Sequence, residues 1–172
     1  MQELQEEIKL LLENNQNFLI KNTTHKNDVQ FIIELLREIN REYLLIDLES
    51  LKSIDALIQK IADFIQAKSG NSLAPFDFEK NEPFVHFIEV IEGLEKLGST
   101  LGQNPIVIFN QFQNLGQFNY EDIDYYEILR GDIQHHQFVT YIFLGDEVML
   151  KIFNDRKSPF LNFCRKLNLN NK

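Results

Sequence analysis

The run PIVIFNQFQN, residues 105–114, carries Ile106, Val107, Ile108 and Phe109 and then releases two neutral amides, Asn110 and Gln111. An unbroken stretch of β-branched and aromatic residues reads as a buried strand. In α/β proteins the carboxyl ends of such strands are where ligands are held. Two carboxylates there could bind a hard divalent cation and take a proton from an attacking water. Two amides cannot. Asparagine keeps an oxygen but loses the charge, and glutamine can orient a water yet cannot accept its proton. Taken alone, the pair also fits an ordinary polar turn.

Other residue types that could do chemistry are sparser. Asp47 and Glu49, with Lys52 nearby, close the apolar run EYLLIDL and resemble a nuclease metal site faintly; a solvated strand end accounts for them more simply. His135 and His136 are adjacent just before a strand, so they point to opposite faces and suit joint metal ligation poorly. One is expected half-buried, the other exposed. His25 and His86 stand alone. Cys164 is the single cysteine, which excludes an internal disulfide and any cysteine pair at metal spacing; it reads as a small core residue in a reducing compartment. The run FNYEDIDYYEIL, residues 118–129, is aromatic and acidic. It suits a partner surface or the start of an amphipathic helix equally well.

The elements that must position these residues follow from hydrophobic period. Leu4, Ile8, Leu11 and Leu12 form one helical face, and NFLIK (17–21) is a short strand. Residues 28–39 are apolar nearly all round, as in a helix buried against a sheet. EYLLIDL (42–48) is a second strand, and a helical repeat spans 51–67. The stretch 68–83 is rich in Gly, Ser, Asn and Pro and is the one long loop expected. A helix over 84–97 precedes the strand 105–109. A helix near 121–134, a strand at 137–145, a helical segment at 146–153 and a short strand near 164–169 complete the chain. Strands alternating with amphipathic helices predict one α/β domain over residues 1–172, its parallel sheet covered on both faces by a doubly wound arrangement.

The bulk numbers agree. The 172 residues suffice for one core, and 44% apolar content with 15 Phe fits a packed protein. A net charge of −9 argues against a general nucleic-acid or anionic-membrane surface. The amino terminus, MQELQEEIKLLLENNQ, is acidic and amphipathic, unlike a signal peptide. No window approaches the ~18 apolar residues of a membrane span, so a cytoplasmic protein is expected.

In this order the segments FLIKNTTHKNDVQFIIELL, YLLIDLESLKS, IVIFNQFQNL and ILRGDIQHHQFVTYIFLGDEVMLKIFNDRKSPF resemble the archaeal and bacterial ATPase-domain proteins of the AAA+/STAND type of P-loop NTPase. Residues 127–160 carry the most distinctive likeness. The resemblance implies a three-layer sandwich around a five-stranded, mainly parallel sheet, without the helical lid. It implies that the strand 104–109 lies beside the strand 17–21, so that residues 22–29 and 110–111 share one carboxyl edge. It places residues 22–29 in the phosphate-binding loop, whose family pattern is glycine, four residues, then Gly-Lys-Thr/Ser.

This chain reads Asn22, Thr23, Thr24, His25, Lys26, Asn27, Asp28, Val29 there. Asn replaces both glycines, and asparagine tolerates left-handed backbone best after glycine. Asp28 stands at the phosphate-binding lysine, and Val29 at the hydroxyl that ligates Mg²⁺. Asn110 and Gln111 fall where the family carries the Asp that holds Mg²⁺ and the Glu that activates water. The resemblance also puts Arg130, Arg156 and Lys157 near phosphate or subunit contacts of related ATPases; without the loop lysine they read as surface ion pairs. The implied function is a pseudo-ATPase without cofactor, acting on a protein partner and on neither nucleic acid nor membrane. The alternative is a residual ATP or ADP binder, with or without Mg²⁺, that does not hydrolyse.

Overall fold

A computed structural model of the chain describes residues 2–21, 25–79 and 82–168. Its elements are α1 (Gln2–Glu13), β1 (Phe18–Lys21), α2 (His25–Glu38), β2 (Tyr43–Asp47), α3 (Ile54–Ser69), α4 (Pro83–Leu101), β3 (Ile106–Asn110), a 3-10 helix (Phe112–Phe118), α5 (Tyr125–Ile133), β4 (Thr140–Gly145), α6 (Glu147–Asn154) and β5 (Arg165–Asn168). Local chemistry sets several of these boundaries. Ser53 caps α3 by accepting the Ala56 N–H at 3.1 Å, Pro83 takes the first turn of α4, where no N–H is needed, and Asp124 and Asp146 cap α5 and α6.

All strands pair in parallel, in the order β2-β3-β4-β1-β5. The expected α/β sandwich is present, with one correction. β3 does not lie beside β1; β4 sits between them, pairing Phe18 with Ile142 on one side and Ile106 with Thr140 on the other. The reason is burial. β3 and β4 are both buried along their whole length and take interior positions of the covered sheet, which leaves the partly exposed β2 and β5 at its edges. The carboxyl edge is nevertheless common to all strands, so Lys21 and Asn110 emerge on the same side.

Successive strand residues face opposite layers. Ile106, Ile108, Ile142 and Leu144 pack with Phe18 and Ile20 under α1 and α2. Val107, Phe109, Tyr141 and Phe143 pack with Leu19 under α3, α4, α5 and α6. On that second face Phe112 meets Phe143 edge-on at 4.8 Å and Phe160 at 5.3 Å. Each such ring contributes about 1.5–3 kcal/mol by leaving water. The 3-10 helix is the one element that the period does not reveal: FQNLGQF alternates in neither sense, and it forms because Gln111 adopts a left-handed conformation (φ 56°) and turns the chain sharply after β3.

The long loop after α3 opens on Gly70 and folds back on α4. A Cβ at Gly93 would stand 2.8 Å from Phe76 Cζ, so this glycine is the notch that admits the Phe76 ring.

Candidate functional site at the carboxyl ends of the strands

The helices that follow neighbouring β1 and β4 leave to opposite faces: α2 packs in the layer of α1, while α6 contributes Met149 and Phe153 to the other layer. The crevice outside the carboxyl ends of such a strand pair is where open α/β sheets bind ligands. Lys21 and Gly145 are register partners there, and Asn110 pairs with Leu144 on one side and Asp47 on the other.

β3 delivers Asn110 and Gln111 to this edge, both buried (8% and 3% exposed). Asn110 Nδ2 donates to Asp47 Oδ1 at 3.3 Å, and Leu48 N–H donates to the Asn110 carbonyl at 3.0 Å. Gln113 Nε2 donates to Gln111 Oε1 at 2.6 Å. The backbone behind them is tied as well: Tyr126 hydroxyl donates to the Gln113 carbonyl at 2.6 Å, and burial pushes that phenol up to about 12, so it remains a donor. A Cβ on Gly145 would stand 2.5 Å from Gln113 Oε1, so the Gln113 side chain occupies the space over the end of β4. Lys21 pairs with Glu147 at the start of α6, across the β1–β4 seam.

Sequence reasoning overlooked Gln113, Gln117, Lys21 and Gly145. An amide every second to fourth residue after β3 was the available signal for the first two. Gln117 Nε2 donates to the Leu48 carbonyl at 3.0 Å and joins the β2 end to the 3-10 helix.

The proposed loop residues divide into three groups. Asn22, Thr23 and Thr24 lie outside the described residues, as do the side chains of His25 and Lys26. Asn27, Asp28 and Val29 lie in the first turns of α2, which begins at His25. Asn27 is exposed, whereas Asp28 and Val29 are half-buried. Asp28 Oδ2 is sealed from solvent and has no hydrogen-bond partner among the described residues.

The remaining candidates are dispersed. Glu49 and Lys52 are exposed while Asp47 faces Asn110, and no group of three or more His, Cys, Asp or Glu suited to a metal occurs among the described residues. His135 is exposed and His136 half-buried, with Nδ1 2.8 Å from the Tyr141 hydroxyl. His86 is 5% exposed against Phe78. Cys164 packs at the core margin, where burial pushes its thiol up to about 12. The surface-ion-pair expectation is corrected. Arg130 Nε donates to the Pro159 carbonyl at 2.8 Å and its guanidinium lies 4.4 Å over the Phe163 ring, because the half-buried segment packed against it offers a carbonyl and a ring instead of a carboxylate. Arg156 and Lys157 enter no ion pair among the described residues. In the aromatic run, Tyr125 is fully buried and Tyr120 is 46% exposed.

No helix among the described residues is long and apolar enough to cross a membrane. No protein-family model and no curated protein matches the chain. Solved structures do. A Walker-type ATPase of Pyrococcus abyssi superposes with a TM-score of 0.70 at 22% identity, over 96% of this chain and 52% of that one. The ORC1 protein of Aeropyrum pernix, solved in complex with DNA, gives 0.66 at 13% identity over 95% and 43%. Cdc6p of Pyrobaculum aerophilum gives 0.57 at 11% identity over 96% and 44%. The chain thus spans about half the length of the structures it matches, or less. At these identities the likeness is one of fold: the parallel sheet and its helices superpose on those of these proteins.

Proposed function

We propose that the chain is an ATPase-like domain that does not hydrolyse nucleotide and serves as a protein-interaction or regulatory module. The observation that carries this reading is the amide network at the end of β3. A P-loop NTPase needs a carboxylate there to hold Mg²⁺ and a group beside it to activate or position water. Here Asn110 is spent on Asp47 and Gln111 on Gln113, at 3.3 Å and 2.6 Å. Asp28 adds a carboxylate within the first turn of α2, where a triphosphate would require a cation.

One observation favours a second reading, a nucleotide binder without hydrolysis. α2 begins just beyond the end of β1, and the free N–H groups of a helix start attract anions. Neither reading requires nucleic acid or membrane, and the net charge of −9 opposes both surfaces. The DNA in the Aeropyrum pernix complex belongs to that protein. A cytoplasmic location accompanies the proposal.

Calorimetry with ATP and with ADP, with and without Mg²⁺, separates the readings. The interaction-module reading expects no submillimolar binding. Submillimolar binding without turnover favours the second, and turnover excludes both.

A further inference from the structure

At the opposite edge of the sheet, α4 and the end of α5 border a groove of about 330 Å³ lined by Glu92, Glu95, Lys96, Asp132, His135 and His136. Glu95 is committed: its two oxygens accept the Gln137 and Phe138 N–H groups at 2.8 and 2.9 Å, pinning the approach to β4 onto α4. Glu92 and Asp132 are not. Neither enters an ion pair among the described residues, and Asp132 Oδ2 is sealed from solvent without a hydrogen-bond partner.

A separate feature adjoins the groove. Gly98 lets α4 touch the backbone of Phe138, and Leu101 follows three residues later on the same helical face. Phe138 is 43% and Leu101 38% exposed, so two large apolar side chains are left in solvent, one bound through its N–H to Glu95 and the other one turn beyond Gly98 on α4. Exposed apolar groups gathered at one place mark contact surfaces.

We infer that the α4–α5 groove, with Phe138 and Leu101 at its margin, docks a basic segment of a partner protein, a cationic side chain entering between Glu92 and Asp132 while an apolar neighbour covers the Phe138 and Leu101 pair. Charge complementarity selects this occupant: Glu92 and Asp132, which enter no ion pair among the described residues, line the groove with Lys96 as its one lysine or arginine. Desolvation, with Glu92 adding to it and His135 partly offsetting it, pushes the Asp132 carboxyl up to about 6, and a bound cation would relieve that cost. The groove lies away from the β3 amide network, so nucleotide titrations do not bear on it.

The test is fluorescence anisotropy of the full chain with a labelled synthetic peptide alternating arginine and leucine, beside a peptide with serine for leucine. The groove predicts binding that weakens about tenfold or more in Glu92→Gln/Asp132→Asn, the scale of one charged hydrogen bond. Phe138→Ser should remove the preference for leucine over serine. Glu3→Gln/Glu13→Gln, which neutralises two exposed carboxylates on α1, should leave binding within about twofold. Because His135 and His136 line the same groove, the pH test is comparative: affinity should fall less between pH 7.5 and 5.5 in Asp132→Asn than in the parent, the difference reporting the Asp132 proton. Equal losses in both double variants would mean attraction to net charge alone and overturn the inference. So would no binding at millimolar peptide, or sedimentation showing self-association abolished by Phe138→Ser, which would assign the face to a second copy.

Discussion

At the scale of single residues, Asn110 does two things that an aspartate could not do without a metal. It donates to Asp47, and it avoids a second carboxylate in a buried position. Asn110→Asp would place two carboxylates within about 3.3 Å of each other. Loss of the donor and like-charge repulsion should together lower stability by ~1–3 kcal/mol at pH 7. Urea melts should show most of the loss recovered near pH 4, where one carboxyl is protonated. Asp132 provides a second test with the sign worked out. Its folded value of about 6 exceeds the ordinary 3.8, so its charged form destabilises the fold above pH 6, and the cost fades as pH falls from 6 towards 4. Asp132→Asn should therefore be more stable than the parent at pH 7, by up to about 1 kcal/mol after solvent screening, and indistinguishable near pH 4. His136 opposes it: its value is lowered, chiefly by burial, so its contribution is present above 6.5 and is lost as pH falls below 6.5 through the lower folded value. The difference between melts of the two proteins isolates Asp132 from that background.

At the scale of elements, Gly98 and Gly145 each hold a close approach at one end of β4. A Cβ at Gly98 would collide with the Phe138 carbonyl, a backbone atom that cannot move without dragging β4. Gly98→Ala should cost at least about 3 kcal/mol or prevent folding, read as thermal midpoint or loss of soluble protein. Gly145→Ala meets a flexible side chain, Gln113, as well as Met149, and should cost less. Adding Gln113→Ala should return part of that loss, a coupling that a double-mutant cycle measures. Helices and strands were legible in the sequence because hydrophobic period is local: the strand near 105–109 and the helix over 84–97 lie where the pattern places them, though α4 runs on to Leu101. The 3-10 helix was not legible, since it depends on the left-handed Gln111 and on aromatic packing across the sheet.

At the scale of the whole molecule, period specifies which residues form strands but not which strands meet. The continuous apolar runs of β3 and β4 mark both as interior strands, but nothing in the period says that β4 is the one paired with β1. The shared carboxyl edge was legible, because any parallel sheet brings strand ends together; the tie of Gln113 to Gln111 and the Lys21–Glu147 pair across the seam were not. The fold resembles that of the Walker-type ATPase of Pyrococcus abyssi, and the amides at its carboxyl edge are what the proposed inactivity rests on. Release of inorganic phosphate from millimolar Mg-ATP by the full chain tests it most directly. The rate should equal that of buffer alone and stay unchanged in Gln111→Ala and Asn110→Ala. Steady phosphate release by the parent chain that either substitution abolishes would contradict it.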